Sequence, residues 1–170
     1  MSFDQAVALS IALVAVAWDL ASRRIPNVLT FGGALAGVAA HAYMAGLAGV
    51  GMSLGGWLVG VAFFLPIFLL GGMGAGDVKL LAAIGAWVGP VATIWVALFS
   101  GIAGGVMGLI VALCFGYLTQ AFTNISCLLM HWRLAGPTPA PDLTLATHRG
   151  PRLAYAVPVL AGLMGAVWLR

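Results

Sequence analysis

Residues 52–77 read MSLGGWLVGVAFFLPIFLLGGMGAGD. The uncharged run from Met52 to Leu70 is long enough, as a helix, to cross a hydrocarbon core of ~30 Å, which takes ~20 residues. It empties into a glycine-rich stretch that ends on an aspartate. The whole chain carries four acidic residues, none of them glutamate. A carboxylate beside hydrocarbon costs about 2.5–3.5 kcal/mol on insertion scales, so Asp77 marks a functional site. Gly74 and Gly76, on either side of Ala75, are expected to free the backbone from regular helix and let another chain approach closely.

Composition agrees with a membrane class. Hydrophobic residues make up 63% and charged residues 6% of the 170, against roughly a quarter charged in soluble domains, and the mean hydropathy is +1.12. Long apolar runs without alternating polar residues exclude an outer-membrane barrel. The expectation is an all-α polytopic bundle of six transmembrane helices forming a single domain over residues 1–170. The net charge of +3 comes from scattered Lys and Arg, which make no nucleic-acid patch and serve better as a topology signal. No secretory signal is expected, because the first basic residue, Arg23, follows the first apolar run. Cys114 and Cys127 form no CxxC pair, and neither zinc nor a disulfide framework is implied.

Working outward, a first apolar helix spans about 5–21 and gives way to Arg23, Arg24 and Ile25-Pro26-Asn27, where Pro26 forbids simple continuation. A second spans 28–50 and a third 52–70, with Gly51 as the turn between them. After the glycine-rich loop a short helix covers about 77–88, Gly89-Pro90 breaks it, and a longer one covers 91–118. The short helix crosses only with a thin bilayer or with help from its neighbours. Residues 119–150 form a polar inner loop, and 153–169 a last span. Within the loop, Phe122, Ile125, Leu129 and Trp132 recur at helical spacing and predict an interfacial amphipathic helix, followed by an extended proline-rich linker over 136–141.

If the first helix runs from outside to inside, the inner face holds Arg23, Arg24, Lys79, Arg133, Arg149 and Arg152, and the outer face Arg170 alone. The positive-inside rule then puts both termini outside and the loops that carry Asp19 and Asp77 on the cytoplasmic face. Two carboxyl groups at one depth can act as a pair: like-charge repulsion leaves one ionised as base and one protonated as acid, as activation of water against a peptide carbonyl requires. Asp77, at a helix N-terminus, is expected to be favoured as the anion by the helix dipole, leaving the proton on Asp19.

Asp19 followed by Ile25-Pro26-Asn27, and then Gly74-Ala75-Gly76-Asp77-Val78-Lys79-Leu80-Leu81, resembles the type IV prepilin peptidases, membrane aspartyl proteases of the GxGD class. The likeness of motifs and helix layout spans nearly the whole chain. It implies that Asp19 and Asp77 are the catalytic pair, with Gly74, Gly76, Pro26, Asn27 and Lys79 as motif and support residues. It also implies removal of the basic leader from pilin or pseudopilin precursors at the cytoplasmic face of a bacterial inner membrane, with no cofactor. Longer members resemble this chain but insert a cysteine-bearing cytoplasmic domain between the first helices, associated with N-methylation. Its absence here is expected of the short branch that serves Flp-type pili. Residues 152–158, Arg152 to Pro158, resemble the start of the family's last helix.

Plainer roles stand beside these. Asp19 could be an interfacial anchor paired with Arg23, Asp77 a helix N-cap, and Lys79 a positive-inside anchor. A small proton-coupled transporter would also place carboxylates beside broken helices, although usually at the midplane. His41 reads as an interhelical polar contact, and His131 and His148 lack metal-ligand spacing, so no metal is expected. Gly101, Gly104, Gly105 and Gly108 suggest close helix packing. Asp4 and Asp142 read as solvated surface.

Overall fold

The computed structural model describes residues 1–139 and 154–168. It is helical throughout, with α1 (Phe3–Ser22), α2 (Asn27–Leu69), α3 (Ala75–Val88), α4 (Pro90–Cys114), α5 (Leu118–Ala135) and α6 (Ala156–Trp168). The helices α1, α2 and α4 are long and apolar enough to cross a membrane. Large apolar side chains such as Leu13, Leu58, Trp95 and Ile102 lie exposed along them, as lipid-facing surfaces require and as water would not tolerate over such areas. The fold is an all-α membrane bundle, and the protein an integral membrane protein.

Helix α2 is two antiparallel limbs, 27–44 and 47–69, joined at Ala45 (φ −138°) and Gly46 (φ 57°, ψ −140°). Only glycine adopts the second conformation without strain. The reversal is evident from contacts. Ser53 Oγ donates to the Ala86 carbonyl at 2.7 Å, while a Cβ on Gly37 would lie 3.1 Å from the same oxygen. A straight helix would hold residues 37 and 53 about 24 Å apart. The turn therefore falls at Ala45-Gly46 and not at Gly51, which sits inside the second limb with open space around it. Gly49 fits under the reversal because a Cβ there would strike the His41 carbonyl.

The centre of the bundle is α3. Every residue from Leu80 to Trp87 is buried, so the helix is apolar on all sides and encased by protein. Its 14 residues rise only about 21 Å, which is tolerable because α2 flanks it with both limbs. Packing is close enough that a Cβ on Gly56 would fall on the Gly85 carbonyl oxygen, and one on Gly85 on the Gly56 oxygen; a Cβ on Gly60 would lie 2.7 Å from Ala82 Cα. Trp87 Nε1 donates to the Gly33 carbonyl at 2.8 Å, and the His41 ring meets the Trp87 ring edge-on, the interhelical contact expected of that histidine.

At its far end α3 stops at Gly89 (φ 78°), which also opens α4, with Pro90 in the first helical position; this is the expected break. The helix α4 ends at Cys114, four residues short of the expected boundary, because Gly116 (φ 70°) turns the chain into α5. No residue of α5 is buried, in keeping with a surface helix. In the glycine stripe of α4, Gly101 and Gly105 face open space, whereas Gly104 meets Tyr155. Instead α4 and α6 approach through Gly162, whose Cβ would lie 2.6 Å from the Ser100 nitrogen. Asp4 is not fully solvated either. Among the described residues its Oδ1 is buried without a hydrogen-bond partner, beside a cavity of about 110 Å³ lined by Ser2, Gln5, Trp87 and Leu163. Asp142 and His148 lie outside the described residues.

Gly56→Leu should destabilise the protein by at least about 1–3 kcal/mol through overpacking, whereas Gly51→Ala, with nothing near its Cβ, should leave the thermal midpoint in detergent unchanged.

Candidate active site

Helix α1 buries one stripe, Ala8, Ile11, Ala12, Ala15 and Asp19. The three- and four-residue spacing continues the apolar face into a carboxylate, so Asp19, 7% exposed, points into the bundle. One turn later Arg23 adopts the left-handed conformation (φ 54°) and its N–H caps the Asp19 carbonyl at 2.8 Å. The helix thus ends before Pro26, and Pro26 opens α2, its carbonyl accepting the Leu29 and Thr30 N–H groups. Between them Ile25 returns toward α3, where a Cβ on Gly76 would touch it at 3.4 Å.

Asp77 lies in the first turn of α3, whose N-cap is Gly74. Its backbone N–H donates to the Gly74 carbonyl at 3.2 Å, and its Oδ2 lies beside Gly74. The helix therefore begins two residues before Asp77, and Asp77 is not itself the N-cap. This corrects the expectation that the two glycines hold the backbone out of helix. Gly76 is helical, and neither glycine has a positive φ. What they supply is room: a Cβ on Gly74 would crowd Asp77 Oδ2 at 3.2 Å, and Gly76 receives Ile25.

The two aspartates come together at one end of the bundle, close enough that the Asp19 charge acts on Asp77. Asp19 Oδ2 also accepts the Ala156 N–H at 3.3 Å across 137 residues. Ala156 is the first residue of α6, where backbone N–H groups lack helical partners and the dipole is positive. Each aspartate therefore sits at a helix N-terminus, Asp77 at that of α3 and Asp19 at that of α6. The helix dipole does not single out Asp77 as the anion.

Tyr155, just before α6, stands by the same pair. The Asp77 charge reaches its phenol. Its ring meets Phe64 edge-on at 5.8 Å. The likeness over 152–158 assigns neither Tyr155 nor the Ala156 amide to the site. Their signal was Pro158, which fits only the first turn of a helix and so places free N–H groups at residue 156, on the face that positive-charge counting gives to Asp19.

Lys79 does more than anchor. Its Nζ donates to Asn27 Oδ1 at 3.0 Å, joining the two sequence motifs across 52 residues, and lies 5.3 Å above the Phe31 ring. Lys79→Met keeps the stem and removes the charge. In a double-mutant cycle with Asn27→Ala, thermal denaturation should give a coupling on the order of 1 kcal/mol; additive effects would mean that the bond contributes nothing.

The family model described as the type IV leader peptidase family matches residues 6–109. Comparison with curated proteins and with solved structures gives no match. The matched range takes in α2, α3 and most of α1 and α4, and with them Asp19, Pro26, Asn27, Gly74, Gly76, Asp77 and Lys79, while Tyr155 and Ala156 lie beyond it. On a match over more than half of its length, this chain belongs to the type IV leader peptidase family, a family of proteases.

Proposed function

We propose that this protein is an aspartyl endopeptidase that removes the basic leader from type IV pilin or pseudopilin precursors, with Asp19 and Asp77 as its catalytic pair. The observation that carries this reading is the meeting of two carboxylates, one from α1 and one from α3, at one end of the bundle. Both fall within the residues matched to the family. The whole chain acts as one domain in the bacterial inner membrane. Both termini lie outside and the aspartates face the cytoplasm, where the positive-inside rule puts the Lys and Arg residues. Only residues 23–26 separate α1 from α2, which leaves no room for an inserted methyltransferase domain and favours the short branch that serves Flp-type systems.

The precursor's apolar helix lies against the exposed apolar faces of the bundle while its leader stays in the cytoplasm, so the scissile bond is presented at the leaflet boundary. One carboxylate takes a proton from water as the oxygen attacks the peptide carbonyl carbon. The other, protonated, donates to the carbonyl oxygen. As the tetrahedral intermediate collapses the proton passes to the departing amine, and no covalent enzyme intermediate forms. Gly74, Gly76, Pro26, Asn27 and Lys79 hold the two helix ends in register for this chemistry, and a dry, shaped site strengthens it.

When a Flp-type pilin precursor is co-expressed, its size on a gel should fall with the native protein. Asp19→Asn and Asp77→Asn should each slow leader removal by roughly 10³-fold or more, since residues acting as a unit are lost together. Undiminished cleavage by either variant would sink the pair. For the orientation, Cys127 is exposed on α5. In a Cys114→Ser background, a membrane-impermeant maleimide should label it in inside-out vesicles and spare it in right-side-out ones. The reverse pattern would invert the topology.

A further inference from the structure

We infer that Tyr155 is a positioning residue of this site: its ring, wedged between α2 and α4, holds the start of α6 so that the Ala156 N–H stays on the Asp19 carboxylate. The inference rests on the peptidase reading of Asp19 and Asp77. One side of the ring meets Phe64 edge-on, centroids 5.8 Å apart, and Phe64 is itself buried. On another side stands Gly104, where a Cβ would lie 2.6 Å from the Tyr155 hydroxyl and 2.9 Å from Cε2 and Cζ. The phenol is thus fixed against two helices, and the residue it belongs to immediately precedes α6. The Tyr155 carbonyl accepts the Val159 N–H at 3.2 Å, and the next N–H along the chain, from Ala156, is the one that reaches Asp19.

A shift of the ring therefore moves the amide, because adjacent Cα atoms are held about 3.8 Å apart by a rigid peptide. The Ala156 N–H takes one carboxylate oxygen, Oδ2, and so sets how Asp19 presents its other oxygen to water and to Asp77. The same dipeptide attends both acids, with the Tyr155 phenol close enough to feel the Asp77 charge. None of this segment falls within the residues matched to the family.

The test uses the full chain purified in detergent, with a Flp-type pilin precursor as probe. Tyr155→Ala should lower kcat by about 30-fold or more, in line with the cost of ~1 Å misplacement at a reacting group, while KM holds, both measured below the variant's own thermal midpoint, which the lost ring packing lowers. Tyr155→Phe, which keeps the ring contacts, should stay within about threefold of the native kcat. Gly104→Ala should lower kcat by displacing the ring, and adding Tyr155→Phe should restore part of it by removing the nearest atom. Native kcat in Tyr155→Ala, a change confined to KM, or a Phe variant as impaired as Ala would overturn the role. If Tyr155→Ala does not fold, the Gly104→Ala pair decides, and no recovery in the double variant overturns it. A native protein that leaves the precursor whole defeats the peptidase reading itself, a result distinct from cleavage that is lost with Asp19→Asn and indifferent to Tyr155.

Discussion

The backbone contact between Gly56 and Gly85 sets how closely the second limb of α2 can lie against α3, and most of the bundle follows from it. Lipid gives helices no hydrophobic reason to associate, because chain tails are as apolar as leucine. Close packing of small residues and interhelical hydrogen bonds have to hold them. At this seam both are present: Gly56, Gly60 and Gly85 remove the side chains that would hold the helices apart, and Ser53 bonds to the Ala86 carbonyl of α3, while Trp87 on α3 ties in the first limb through the Gly33 carbonyl. Because α3 is enclosed in this way, a helix too short to span can sit in the membrane, and its first turn can carry a carboxylate at a defined height.

Local pattern made much of this legible. The apolar stripe that places Asp19 inward, the Gly89-Pro90 break and the exposed helix after α4 all depend on spacing within a few residues, which a sequence displays directly. The α2 reversal did not show in the same way. Ala45-Gly46 and Gly51 both lie in uncharged, small-residue surroundings, and hydropathy does not distinguish a turn from a continuing helix there. What decides the position is the contact of both limbs with Ala86, far along the chain. The glycines pose the same difficulty. On α4 Gly101 and Gly105 face open space, whereas the glycines that let helices meet, at 37, 56, 60, 85 and 162, are spread over α2, α3 and α6, and of these only Gly56 and Gly60 lie four residues apart.

The site shows the limit most clearly. Asp19 and Asp77 could be paired from topology alone, since counting positive residues puts them at one leaflet. The Lys79 bond to Asn27 and the Ala156 bond to Asp19 required the fold. These contacts change the meaning of the motifs. Gly74 and Gly76 clear space beside an ordinary helix start and do not hold the backbone out of helix. The second helix N-terminus, brought by α6, makes the surroundings of the two acids more alike than the sequence suggested.

The distance of 137 residues between Asp19 and the amide that meets it also orders events during synthesis. The first helix emerges early, and α2 and α3 can assemble as near neighbours in the chain. The Asp19 carboxylate gains its backbone donor only when α6 has been delivered. A ribosome-bound intermediate that lacks α6 therefore carries both acids without these surroundings, and the junction of the two acids forms later than the helices that bear them.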